Sequence, residues 1–213
     1  MTTWDYNDLF KWHNDGCQDV DINILIIDSS FIHICNLSIP KSITKLYVNN
    51  ENIRNVINPA TRYLLASYYQ YEELPILHEG LIELNCEYNR IKVLHKLPLS
   101  LKALSCECNQ LEELPLLHEG LIELYCYKNQ IKVLPKLPST LELLVCKYNY
   151  IKILPIIPKK CMIVCDLYLV THTEQIPYYH WDHELFCYLD KIKYKYHIHK
   201  IIHLRIYLIT DYI

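Results

Sequence analysis

Hydrophobic positions recur along the centre of the chain with one fixed spacing. Starting at Leu81, Leu101, Leu121 and Leu141, at steps of 20 residues, the segments read LIELNCEYNRIKVL, LKALSCECNQLEEL, LIELYCYKNQIKVL and LELLVCKYNYIKIL. The shared pattern is L-x-x-L-x-C-x-x-N-x-[IL]-x-x-L. All four copies hold the second Leu (Leu84, Leu104, Leu124, Leu144), the Cys (Cys86, Cys106, Cys126, Cys146) and the Asn (Asn89, Asn109, Asn129, Asn149). Within L-x-x-L-x-C, apolar and variable residues alternate, as in a short strand with one buried face. One repeat cannot bury its apolar edge alone, so the copies are expected to stack in register as a parallel sheet. Asn carries a short amide that satisfies backbone groups where the chain leaves the strand, which predicts a ladder of the four Asn. The return path of so short a repeat has no room for a full helix. The prolines in Leu134-Pro135-Lys136-Leu137-Pro138 favour extended backbone there. The expected fold is a β-rich solenoid: an arc with short parallel strands on its concave face and little helix except at the terminal caps.

Weaker copies extend the array. Thr61, Leu64, Ala66, Tyr69, Tyr71 and Leu74 fill the same slots, as do Ile43, Leu46, Val48, Glu51, Ile53 and Val56. Ile22, Leu25, Ile27, Ser30, Ile32 and Cys35 form a further copy, and the pattern decays over residues 161–166. This gives an N-terminal cap over 1–21, about seven repeats over 22–166, and a C-terminal cap or tail over 167–213. A longer period is superimposed, because EELPILHEGLIEL from Glu72 returns as EELPLLHEGLIEL from Glu112. In the N-terminal cap, Thr3 is the expected cap of a short helix whose Leu9, Phe10 and Trp12 cover the first rung. In the tail, Trp181, Leu185 and Leu189 have helical spacing. Ile192, Tyr194, Tyr196 and Ile198 alternate with Lys or His as in a lysine-guarded end strand.

The repeat resembles that of leucine-rich-repeat proteins over residues 22–166. The segments of type LPxLP are similar to the short repeats of bacterial effector proteins. IPKSITKLYV (39–48) instead resembles FNIP repeats, which occur in amoebae and giant viruses. The chain holds 33 Leu, 28 Ile and 19 Tyr against 3 Gly and 3 Ala, a bias toward residues of A/T-rich codons. Together with the FNIP-like segment, it implies a large DNA virus or its protist host as the source. The resemblance implies a protein-interaction module with a protein partner, a host protein if the source is viral.

Charge changes the picture little: 21 Lys+Arg against 24 Asp+Glu favours neither a nucleic-acid binder nor an acidic tail. Residues 1–12 carry two Asp and no apolar core, so no secretory signal is read there, and no apolar run approaches the roughly 20 residues of a membrane span. With ten Cys and no signal, the expected setting is intracellular, soluble and cytoplasmic, with reduced thiols in a monomer that has no membrane attachment.

Candidate chemistry is weighed residue by residue. The Cys column could form a metal or redox ladder, but it fills a slot of inward-facing small hydrophobes, so a structural role is expected. Cys108 falls on the variable face as the more reactive thiol. In the tail, His180, His183, Cys187, His197, His199 and His203 lack a standard zinc spacing, and no metal or cofactor is expected. Lys191, Lys193, Lys195, Lys200 and Arg205 form a basic strip, the basis of the alternative reading as a nucleic-acid or anionic-surface binder. Ligase domains of the effectors that carry LPxLP repeats use a catalytic Cys, and Cys165-Asp166 superficially resembles such a site. Fewer than 50 residues follow it. No phosphate-binding Gly loop, G-x-S-x-G or H-E-x-x-H is present, so a non-enzymatic protein is expected.

The remaining surface is the concave face. Its variable positions are Tyr63, Ser67 and Tyr68; Glu83, Asn85, Glu87 and Tyr88; Ser105, Glu107 and Cys108; Glu123, Tyr125, Tyr127 and Lys128; Val145, Lys147 and Tyr148. Tyr offers large contact area with a polar tip, as binding hot spots favour. A preformed sheet presents such a row without ordering cost. The row also runs from Glu toward Lys. A partner-binding face built on these residues is the expected site.

Overall fold

The structure is a computed structural model that describes residues 3–5, 7–8, 11, 24–27, 43–48, 60–68 and 70–166. Among them nine strands lie side by side in chain order, every neighbouring pair parallel. They are β1 (Thr3–Trp4), β2 (Ile24–Ile27), β3 (Lys45–Val48), β4 (Tyr63–Leu65), β5 (Glu83–Asn85), β6 (Ala103–Ser105), β7 (Glu123–Tyr125), β8 (Leu143–Val145) and β9 (Met162–Val164). The fold is a parallel-strand solenoid, as the repeat predicts. Strands β2–β8 fall on the central Leu of successive expected repeats, from Leu25 to Leu144. The sheet runs one strand further at each end, with β9 inside the segment where the pattern decays.

Register follows the central Leu of each repeat. Leu25, Leu46, Leu64, Leu84, Leu104, Leu124 and Leu144 pair in succession and end on Ile163. All are buried, as are the Cys, the leading Leu and the Ile/Leu columns of the main repeats, in one continuous core. No helix accompanies the repeats over 70–166. The N-terminal cap requires a correction. Thr3 lies in β1, paired with Ile24, and the capping residue is Asp5. Its Oδ1 accepts from the N–H groups of Asn7 and Asp8, while Asp8 Oδ2 accepts from the Asp5 N–H. That reciprocal pair is a capping box ahead of helical positions at Asn7, Asp8 and Lys11. Ile22, Tyr69, the remaining N-terminal slots and the whole tail lie outside the described residues.

The Asn ladder forms. Asn109 Nδ2 donates to the Cys86, Cys106 and Glu107 carbonyls at 2.9–3.1 Å, and its Oδ1 accepts from the Ile91 N–H at 3.0 Å. Asn89, Asn129 and Asn149 repeat this pattern, each tying its own rung to the preceding one. Opposite the ladder a second clasp explains the longer period. Glu79 Oε2 accepts from the Leu99 N–H, and the Ser100 hydroxyl accepts from the Gly80 N–H and donates to the Leu81 carbonyl. Glu119, Gly120, Leu121, Ser139 and Thr140 repeat the arrangement 40 residues later. Gly80 and Gly120 hold φ of 106° and 117°, a region that costs Gly little. Each His-Glu-Gly rung is thus latched to the Ser/Thr rung that follows it.

Candidate functional site

The strand alternation turns the central Leu inward and its neighbours outward. Glu83 and Asn85 flank buried Leu84, and Glu123 and Tyr125 flank buried Leu124. The open face of the sheet therefore carries Tyr63, Glu83, Asn85, Glu123 and Tyr125 half-buried, with Glu87, Tyr127 and Lys147 beside them just past the strands. Four of the sequence-derived positions sit deeper: Ser67, Ser105, Glu107 and Val145 are buried at 8%, 6%, 3% and 4% exposure. Lys45 and Tyr47 of β3, not among those positions, extend the face by a rung through the K-L-Y-V alternation. Burial, followed by the Glu83 carboxylate, raises the Tyr47 pKa.

A rim runs along one side of this face. Tyr68, Tyr88, Cys108, Lys128 and Tyr148, each immediately before the Asn slot, all have left-handed backbone with φ of 52–64°. For non-Gly residues that conformation costs about 1–2 kcal/mol each. It is held because each N–H bonds across to the next rung: Tyr68 to Glu87, Tyr88 to Glu107, Cys108 to Tyr127 and Lys128 to Lys147 carbonyls. At Tyr148 the acceptor becomes the Asp166 carboxylate at 2.9 Å. Asp166 is thus a buried end-piece of the ladder, and burial followed by the Asp166 charge raises the neighbouring Cys165 thiol. A catalytic cysteine needs the opposite shift.

The turn throws the rim side chains outward. Tyr68 and Tyr88 stack at 4.5 Å between centroids with 10° between planes. The Tyr88 hydroxyl lies 3.3 Å from that of Tyr127, to which the Cys108 thiol donates at 3.5 Å. Burial and these two hydrogen bonds hold the Tyr127 phenol well above its ordinary pKa, so it stays neutral. Further along, the Lys147 ammonium sits 4.8 Å above the Tyr148 ring. On β3, Lys45 sits 5.1 Å above Tyr63. The Tyr125 hydroxyl donates to Glu123 at 3.1 Å. Aromatic faces, hydroxyls and carboxylates thus line one surface.

The Cys column lies behind this face in the core. The Cys86 and Cys106 thiols point at the carbonyls of Ser105 and Tyr125 in the next rung, both at 3.4 Å. Burial, helped by Glu107, raises the Cys126 thiol; burial raises Cys146 as well and pushes Cys161 up to about 11. Neutral thiols of this kind act as small core hydrophobes. Among the described residues, no group of three or more His, Cys, Asp or Glu is placed to hold a metal ion. No helix there is long and apolar enough to cross a membrane. The His/Cys and Lys positions of the tail lie outside the described residues.

One internal comparison separates frame from face. Residues 81–94 and 121–134 differ only at 85/125 (Asn/Tyr), 87/127 (Glu/Tyr), 88/128 (Tyr/Lys) and 90/130 (Arg/Gln). The first three pairs are open-face or rim positions. Two rungs with the same frame therefore display different surfaces.

No family model and no curated protein matches the sequence. Among solved structures, the fold is similar to that of YopM from Yersinia enterocolitica WA-314, with a TM-score of 0.59 and 32% identity, covering 68% of this chain and 32% of that one. It is also similar to YopM from Yersinia pestis, described as a leucine-rich effector protein. There the TM-score is 0.59 and the identity 26%, covering 78% of this chain and 53% of that one. The chain spans about a third to a half of the structures it matches.

Proposed function

We propose that the chain, a leucine-rich-repeat protein by its repeat, its parallel sheet and its structural neighbours, is a non-enzymatic interaction module that binds another protein through the open face of the sheet. The observation that carries this reading is the contrast between residues 81–94 and 121–134. These duplicated rungs keep every core and ladder residue and differ at Asn85/Tyr125, Glu87/Tyr127 and Tyr88/Lys128 on the displayed surface. The tyrosines there are large, half-ordered by stacking and hydroxyl contacts, and need little further ordering to bind. The flank carries Glu112 and Lys132 in a solvent-exposed ion pair at 3.3 Å, a pairing of small energetic consequence. If the source is a virus, the partner is a protein of the infected cell's cytoplasm.

Photo-crosslinking tests this. A benzophenone amino acid placed at Tyr125 is expected to yield a discrete protein adduct in cell extract, whereas the same group at Lys132 on the flank does not. Identical adducts from both positions, or none from Tyr125, contradict the face as the binding surface.

A further inference from the structure

We propose that the segment this face takes is extended and basic, its Lys or Arg side chains seated on tyrosine rings beside the central glutamates. The proposal rests on the reading of the open face as a protein-binding surface and adds the chemistry of what binds. Two observations meet here. First, the face is acidic at its centre: β5, β7 and the position just past β5 contribute Glu83, Glu87 and Glu123, with Glu107 buried beneath them. The face's own cations stand at its two ends, Lys45 and Lys147, and on the rim at Lys128. Second, the protein already shows what a cation does on this surface. Both end lysines lie over tyrosine rings, Lys45 on Tyr63 and Lys147 on Tyr148.

Between those ends, the Tyr125 hydroxyl donates to Glu123, and Tyr127 follows two residues along the same rung, so ring faces and negative charge share this part of the face. A π face and a carboxylate together attract an ammonium or guanidinium more strongly than either alone. An extended chain laid across rungs about 4.8 Å apart, with its same-side residues about 6.6 Å apart, presents roughly two such residues for every three rungs. An acidic segment would meet repulsion at the centre, so charge selects the occupant.

The probe is a labelled peptide alternating arginine and serine, compared with one alternating glutamate and serine, each titrated by fluorescence anisotropy against the full chain. The arginine peptide is expected to bind and to weaken as salt rises, and the glutamate peptide not to bind. The combined change Glu83→Gln, Glu87→Gln and Glu123→Gln is expected to weaken binding about tenfold or more. Glu72→Gln, Glu112→Gln and Glu113→Gln remove the same charge from the flank and are expected to leave affinity close to that of the unaltered chain. Thermal midpoints of both variants check that each is folded.

Equal binding of the two peptides, equal loss in both glutamine variants, or no arginine-peptide binding overturns the proposal. If the arginine peptide fails while the Tyr125 adduct persists, the basic segment is wrong and the binding face stands. If both fail, the binding face falls as well.

Discussion

Residues 81–94 and 121–134 are two castings of one rung, and they divide cleanly into what is shared and what is not. Shared are Leu84 and Leu124, Cys86 and Cys126, Asn89 and Asn129, all buried at corresponding points of the core and ladder. The difference lies in a carboxylate and an amide on one rung against two phenols on the other, and in a rim that carries Tyr88 at one and Lys128 at the other. A solenoid needs its interior to repeat because each rung packs only on its neighbours. Its surface is under no such demand. Where a near-exact duplication departs from itself on the displayed side, the departure costs the fold little, and under the proposed function its sense lies in what the surface meets.

The comparison breaks first if the interior tolerates change. Leu124→Ala deletes a fully buried side chain and is expected to cost about 2–5 kcal/mol in urea unfolding, with a similar loss for Leu84→Ala. Asn129→Leu removes the acceptor of the Leu111 N–H and the donor to the Cys106 and Cys126 carbonyls. Buried groups left in that state cost about 1–3 kcal/mol each, so this loss is expected to match or exceed that of Leu124→Ala. A loss under about 1 kcal/mol from either change would mean that the shared residues are not what holds the rungs.

The rim gives a smaller and more selective effect. With φ of 54°, Lys128 occupies backbone that a β-branched residue resists and Gly accepts. Lys128→Val is expected to lower stability by about 1–2 kcal/mol, and Lys128→Gly to leave it unchanged or slightly raised. Equal effects of the two would show that the left-handed turn does not govern the rim.

The clasp gives the smallest effect and a pH signature. The hydrogen bond from the Ser139 hydroxyl holds the Glu119 carboxyl below its ordinary 4.5 against the opposing effect of burial, helped by the Ser139 backbone N–H and then by Lys136. A depressed folded-state pKa stabilises above the unfolded value and is lost as pH falls through the folded one. The melting-temperature difference between the unaltered chain and Glu119→Gln should therefore be full at neutral pH and shrink below pH 4.5. A difference that stays constant with pH removes the clasp from the linkage.

How much of this could be read beforehand follows from where each signal lives. The ladder and core were legible because Leu, Cys and Asn recur at fixed places and each has one physical use there. The end strands were less so: β9 carries Met162 and Val164 in place of the usual pattern, and β1 presents only Thr3 and Trp4. Thr3 looked like a helix cap because a hydroxyl before a short apolar run fits that role, but pairing with Ile24 claims its backbone. The left-handed rim was invisible, since Tyr, Cys and Lys carry no preference for that backbone and adopt it under cross-rung hydrogen bonding. The clasp joins Glu79 to Leu99 and Glu119 to Ser139, partners 20 residues apart that only the stacking brings together. At the candidate site, alternation placed Tyr125 and Glu83 outward. The depth of Glu107 and Val145 depends on the bulk around them, which a repeat pattern does not encode.

The most direct measurement exchanges one surface for the other on the same frame. Tyr125→Asn, Tyr127→Glu and Lys128→Tyr together give residues 121–134 the display of residues 81–94, using side chains the frame already carries. Isothermal titration of this variant with the purified protein crosslinked through position 125 should show binding weakened at least about tenfold, with unfolding free energy within roughly 0.5 kcal/mol of the unaltered chain. Undiminished binding by an equally stable variant would contradict the assignment of recognition to the open face.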